Sequence, residues 1–315
     1  MKLRSNEIRR ARPLLGTLVE IGAVGANAAV GVEAAFREIA TVHQLMSFHE
    51  ENSDVSRFNR AAPGEIVHVD QRTYEVLGCA QRLSRLSRGA FDVTVGGRLV
   101  EAGFLPRPHG TMGFDPDASF EDLLLLSDNC LTRRRRAWID LGGIAKGYAV
   151  DRAVEALKEC GVTSCIANAG GDLYVFGKPQ PIHIRHPEKT SLVLPLGAIS
   201  DSAVASSSGV YFLHDKNDAL VEPRRDRCVK WRQGITVIAP RCMLADALTK
   251  IVRLAPRRAP GILVQLKAQA LVIDRRGVRW SAPVKSRNDP ACGGAFRIIN
   301  PTGSALPICG VSAIL

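Results

Sequence analysis

An α+β fold is predicted by three features of the chain: amphipathic helical stretches, runs of short strands that do not alternate regularly with them, and glycine clusters where strand-like segments end. The 315 residues leave room for one large domain or two ordinary ones. A content of 46% hydrophobic and 23% charged residues is that of a globular chain with a sizeable core, which excludes disordered and fibrous classes.

Residues 14–22, LLGTLVEIG, read as a first strand, with Leu, Val and Ile alternating around Thr17 and Glu20. From Ala28 to Met46 the apolar residues Val32, Ala35, Phe36, Ile39, Val42 and Met46 recur every three or four positions and predict a helix. Residues 47–64 are polar and turn-rich and read as irregular. A second helix is expected over 70–87, closed by Gly89, and a third from Lys146 to Cys160, stopped by Gly161. Strands are expected at 163–168, 172–177, 182–185, 196–206 and 234–239, followed by a helix at 244–253. Two further strands, 262–266 and 270–274, precede a weakly patterned tail from 281.

The charge balance, 42 Lys+Arg against 31 Asp+Glu, gives +11 and suits an anionic partner. With 5% aromatic residues and no recognised module, nucleic acid is not that partner. The basic runs Arg9, Arg10, Arg12 and Arg133 to Arg136 read as solvated turns or strand edges. Eight cysteines form no C-x-x-C pair, which argues against zinc and for reduced thiols. No apolar run reaches the ~18 residues of a membrane helix. Glu20 interrupts the N-terminal apolar stretch that imitates a secretory signal, so a cytoplasmic protein is expected.

The densest chemistry-bearing segment is DLGGIAKGYAVD at 140–151: an acid ends an apolar approach, two glycines permit close backbone contact, and Lys146 opens a helix. A helix N-terminus with a lysine beside it attracts anions. Neither G-x-x-x-x-G-K-[ST] nor G-x-G-x-x-G is present. NAGGDLYVFG at 168–177 is a second glycine cluster, closed by Asp172, and GAFDVTVGG at 89–97 a third. Two acid-bearing strand ends within thirty residues point to a shared pocket.

These segments, with LLGT (14–17), MSFHEENSDVSRFN (46–59), ASSSG (205–209) and VIAPRCMLADALTK (237–250), resemble in order and spacing the ApbE family of FAD:protein FMN transferases over roughly residues 12–255. The resemblance implies an ApbE-like, T-fold-related α+β fold of mixed sheets with packed helices, spanning 1–255 and followed by a C-terminal segment at 256–315. It implies FAD as substrate, Mg²⁺ at the pyrophosphate, a target flavoprotein whose threonine accepts FMN, and release of AMP. Ala90, Phe91 and Asp92 would line the flavin, Asp140 and Lys146 would contact FAD, and Leu220 would add a cofactor contact. Gly143 through its backbone, Asp246 and Thr249 would hold the metal.

Two segments depart from the family pattern, the second at Ala219, Glu222, Arg225 and Asp226 with only Pro223 kept. The metal helix has the form A-D-x-L-x-T, but position 250 is Lys and the threonine is Thr249. Three arrangements are open: Thr249 reaches the metal, Lys250 takes the cation's place beside Asp246, or Lys250 points into solvent. At ALVEPRRD (219–226) the family has H-I-I-D-P-x-T-G, so Ala219 replaces the acid/base histidine, and no catalytic residue is secure. His214 would substitute only in a rearranged loop. The alternative to an active transferase is a paralogue that binds flavin or nucleotide without turnover.

Overall fold

The computed structural model describes residues 7–189, 191–208, 220–223, 227–229 and 231–281. Its elements are β1 (Glu7–Leu14), β2 (Thr17–Val24), α1 (Ala28–Met46), α2 (Asp54–Arg60), β3 (Val67–His68), α3 (Gln71–Ser87), α4 (Gly96–Glu101), β4 (Leu123–Leu125), β5 (Cys130–Arg133) and α5 (Ala145–Glu159). There follow β6 (Ser164–Ala169), β7 (Asp172–Phe176), β8 (Gln180–Arg185), β9 (Val193–Ile199), β10 (Ser202–Ser208), β11 (Leu220–Glu222), β12 (Arg227–Val229), β13 (Gly234–Ala239), α6 (Cys242–Leu254), α7 (Ala259–Gln265), β14 (Gln269–Asp274) and β15 (Gly277–Ser281).

The main sheet has the order β1-β2-β6-β7-β10-β13-β14-β15, with antiparallel neighbours throughout. Side chains alternate across it. Ala167, Ala169, Ala203, Ala205, Val237, Ala239 and Ala270 face the helical layer of α1, α5 and α6, while Val175, Val204, Ile238, Leu271 and Ile273 face the β8–β9 hairpin. The many alanines on the helical side let the helices lie close to the sheet. A smaller sheet, β3-β5-β4, carries Leu123 and Leu131 into the main core.

Several sequence expectations are corrected. The single strand expected at 14–22 is two strands joined at Leu15 and Gly16, with φ of 55° and 68°. That pair is a two-residue hairpin turn, whose positive φ values match the twist of the flanking strands. The segment expected to be irregular holds α2, begun by Ser53, whose side chain accepts the Ser56 amide at 3.0 Å. The strand expected at 196–206 divides into β9 and β10 around Asp201, at φ 50°. Residues 262–265 are helical and Leu266 caps them: Ala259, Ile262, Leu263 and Leu266 are buried at helical spacing. This helix and β14 lie beyond residue 255 and continue the main core and sheet.

Of the basic runs, β1 is a sheet edge as expected, and its exposed arginines discourage further strand pairing. Arg133 does not fit the solvated reading. It is 1% exposed, its guanidinium donates to the Asn59, Ala61 and Ala137 carbonyls, and it lies 5.0 Å from the Phe58 ring centroid.

Candidate active site

Four segments converge where the N-terminus of α5 meets α6. The first is the loop after α3. Its Phe91 amide donates to Ser87 Oγ at 3.0 Å, and Asp92 accepts from the Thr94 amide and hydroxyl (2.8 and 2.6 Å) and from the Phe120 amide (3.0 Å). Asp92 is thereby committed to shaping its own loop, and burial raises its pKa against those hydrogen bonds. Ala90 and Phe91 are buried, at 8% and 5% exposure.

The second segment is the approach to α5. Asn59 of α2 holds Ile139 by both ends of its amide, donating to the Ile139 carbonyl at 2.9 Å and accepting its N–H at 2.8 Å. The Asp140 amide donates to the Val93 carbonyl at 2.8 Å, tying this strand-like approach to the first loop. Asp140 accepts the Gly142 amide at 3.2 Å. Burial pushes its pKa up to about 6, against the Gly142 N–H and the charge of His49. Helix α5 then begins after Ile144, which offers no side-chain cap. The positive end of its dipole favours an anion, although the Gly147 amide in its first turn is taken by a carboxylate of α6.

The third segment is the β6–β7 turn, where Gly170 and Gly171 take φ of 64° and 101°. A Cβ on Gly170 would stand 2.6 Å from Thr17 Oγ1, so this turn and the β1–β2 turn pack too closely for any other residue. Asn168 secures the turn by accepting the Gly171 amide at 2.9 Å. Asp172, which starts β7, pairs with Lys146 of α5. The two glycine-rich segments that the sequence places at strand ends are thus joined by a salt bridge.

The fourth is α6. Asp246 is fully buried; one carboxylate oxygen pairs with Lys250 Nζ, and the other accepts the Gly147 amide of α5 at 3.2 Å. Lys250 Nζ also donates to the Asp246 carbonyl at 3.1 Å. Thr249 lies in contact with Ser207 of β10, hydroxyl to hydroxyl at 2.9 Å, and donates to the Asp246 carbonyl at 2.7 Å. A Cβ on Gly143 would stand 3.7 Å from both Lys250 Cε and Phe91 Cε2. Phe91, Gly143 and Lys250 therefore border one another.

Lys146, Lys250, Asp172 and Asp246 form one electrostatic cluster of two positive and two negative side chains. Burial pulls the Lys146 pKa down, but Asp172 and Asp246 more than reverse this, and it ends above the ordinary lysine range. For Asp246, burial works upward and the two lysines and the Gly147 N–H work downward, with a net lowering. Burial and the charge of Asp246 raise Asp172. Two carboxylates this close separate in acidity.

Of the three arrangements open for Lys250, the structure has the second: its ammonium sits on Asp246. The residues expected to hold magnesium do not fit a divalent cation. Both Asp246 oxygens are engaged, one of them by an ammonium, and Thr249 is turned to Ser207. A hard divalent ion needs several oxygen ligands free of competing cations.

Leu220, the first residue of β11, is half-buried against the main core, and Ala219 and His214 lie outside the described residues. Sequence reasoning misses Asn59 because it lies in a segment that reads as irregular, and it leaves Asp172 without a role. The Ser53 cap is the available signal for the helix that carries Asn59. Among the described residues no helix is long and apolar enough to cross a membrane.

The ApbE family model matches residues 15–272. An FAD:protein FMN transferase of Vibrio cholerae is 29% identical over 232 residues, covering 67% of this chain and 69% of the relative. Another, of Haemophilus influenzae, is 27% identical over 243 residues, with 69% of each chain covered. Among solved structures, the ApbE protein of Thermotoga maritima superposes with a TM-score of 0.74 at 25% identity, covering 88% of this chain and 97% of that one. A histidine-to-glycine variant of the Vibrio cholerae flavin transferase ApbE gives the same score, identity and coverage. With more than half its length matched by the family model, and with the segments that build the site inside that match, the chain belongs to the ApbE family.

Proposed function

We propose that the protein is an FAD:protein FMN transferase, moving FMN from FAD to a threonine hydroxyl of a target flavoprotein and releasing AMP. What carries this reading is that the family match at 15–272 spans all four converging segments, including the N-terminus of α5 with Lys146 in its first turn. The curated relatives from Vibrio cholerae and Haemophilus influenzae bear this name.

The reaction asks the site for three things. The acceptor oxygen attacks the phosphorus of the FMN half as the P–O bond to the AMP half breaks and its electron pair departs with AMP. The hydroxyl's proton passes to water or to the phosphate of the departing AMP. Negative charge therefore grows on phosphate oxygens, where positive groups already in position are most effective. Lys146 and the positive end of the α5 dipole supply such charge in this chain. Phe91 and Ala90 offer an apolar wall to the flavin ring system, and Asp140, placed by Asn59 and Val93, sits at the mouth of the same loop. No step is assigned to Mg²⁺, because the residues available to hold it do not fit.

The test is incubation with FAD and a flavin-acceptor domain, reading covalent flavin fluorescence on the acceptor and AMP in solution. Equal amounts of both products are expected. FAD binding with neither product would overturn transfer and leave the non-catalytic flavin-binding reading, which Ala219 in place of the family histidine favours.

A further inference from the structure

We infer that Lys250 is a built-in replacement for a divalent cation: its ammonium, held on Asp246 beside Gly143, makes the anion-binding corner complete without metal. The FAD identity of the anion rests on the transferase reading; the exclusion of metal does not. Three independent observations carry the inference. Lys250 Nζ engages one Asp246 oxygen while the Gly147 amide engages the other, so both oxygens of this buried carboxylate already have partners and the cation beside it is the ammonium. The cluster of Lys146, Lys250, Asp172 and Asp246 is neutral as it stands, so a divalent ion entering without an anion would add two uncompensated positive charges to a largely buried setting. Finally, Lys250 Cε lies against Gly143, in the loop that opens α5, and its side chain is 18% exposed. The ammonium thus sits at the edge of the helix N-terminus, where a phosphate would meet it.

The chemistry is coherent. A lysine ammonium is a compact point charge with three donors that bind phosphate directly. Asp246 uses one of those donors and the Asp246 carbonyl another. The third remains to serve an anion. Unlike a metal, this charge is present at every free-metal concentration.

The experiment has two arms on the full-length protein. In the first, Mn²⁺ alone is titrated and its free EPR signal is followed. Wild type is expected to take up none, and Lys250→Thr, which removes the ammonium and restores an oxygen donor, is expected to take up one ion per chain. In the second, FAD binding is followed by flavin fluorescence in excess EDTA and in excess Mg²⁺. Wild type is expected to bind equally in both. Lys250→Thr should bind about 10- to 100-fold more weakly in EDTA, the effect of losing one charged hydrogen bond, and recover in Mg²⁺.

Stoichiometric Mn²⁺ uptake by wild type that is lost in Asp246→Asn, or wild-type FAD binding that EDTA abolishes and Mg²⁺ restores, would overturn the proposal. So would a folded Lys250→Thr that neither takes up Mn²⁺ nor loses FAD affinity in EDTA. The wild-type results decide the matter even if that variant fails to fold. Absence of FAD binding under every condition would instead refute the transferase reading, with the Mn²⁺ arm still judging the lysine.

Discussion

Helices α5 and α6 exchange carboxylates, and the two exchanges behave oppositely. Asp151 of α5 accepts the first two amides of α6, from Cys242 at 2.6 Å and Met243 at 3.0 Å. Asp246 of α6 accepts the Gly147 amide in the first turn of α5. Both aspartates are buried, at 5% and 0% exposure. Burial nevertheless raises Asp151 to about 6, against the two amides and Arg241, whereas Asp246 ends below its ordinary value. What separates them is the neighbouring cation: Asp246 has Lys250 in contact and Lys146 close by, and Asp151 has Arg241 Nε at 3.5 Å from a side chain 40% exposed to water. Helix-terminal amides alone do not offset the loss of hydration; a desolvated ammonium does.

The sharpest way to break this contrast is Asp246→Leu. It leaves Lys250 and Lys146 facing a single carboxylate, and removal of one member of a buried ion pair costs about 3–5 kcal/mol. Denaturant unfolding should show a loss of that order. Asp246→Leu combined with Lys250→Met should recover much of it, because the stranded charge goes too. Equal losses in the single and double variants would mean that the ion pair is not the source.

Next in size is the pH dependence. Asp151 binds its proton more tightly folded than unfolded, so between pH ~4 and ~6 the native state holds more protons and stability falls as pH rises. The rise of Asp151 to about 6 corresponds to roughly 3 kcal/mol. Asp140, raised to about the same value, contributes with the same sign. Asp246 works the other way: its contribution is present above pH ~4 and is lost as pH falls below that. Unfolding measured across pH 4–7 should therefore show a decline that Asp151→Asn removes in part, Asp140→Asn providing the other part. An unchanged slope in both variants would place the decline elsewhere.

Both exchanges depend on the closeness of the helix crossing, and Gly147 sets it. A Cβ there would lie 2.2 Å from the Cys242 carbonyl oxygen, a backbone atom that cannot turn aside. Gly147→Ala should push the helices apart and cost about 1–3 kcal/mol, read as a lowered denaturation midpoint. It should also weaken the Asp246 contact, since the same residue donates that amide.

Which parts of this arrangement are legible in the sequence follows from what kind of interaction fixes them. Helix α1 and strand β13 are found at their expected bounds because burial of a periodic apolar face decides them. The DLGGIAKG and NAGGD segments announce a site because glycines and an acid at strand ends have few other uses. Asn59 is silent, since its partner Ile139 is 80 residues away and nothing local signals the clamp. The division of 14–22 at Leu15 is equally hidden: leucine is an unexpected residue at φ 55°, and only Gly16 after it hints at the turn. Helix α7 reads as a strand because a short apolar run such as GILVQL suits either element until its tertiary partners are known. At position 250 the sequence shows the substitution but not where the ammonium goes, which is settled by Gly143 in the loop before α5 and Gly147 in its first turn facing α6.

The smallest expected effect concerns Thr249, one residue from that lysine. Its hydroxyl pairs with the half-buried Ser207 of β10 and donates to the Asp246 carbonyl, Thr249 and Asp246 being fully buried. Thr249→Val keeps the shape and strands the Ser207 hydroxyl, a loss of about 1 kcal/mol. Adding Ser207→Ala should then cost little more, because the two hydroxyls act as one unit. FAD affinity, measured in EDTA and in Mg²⁺, should be unchanged by Thr249→Val. A fall in affinity confined to Mg²⁺ solutions would show Thr249 serving a metal after all, and a metal held by that oxygen would displace the Lys250 ammonium as the cation that balances Asp246.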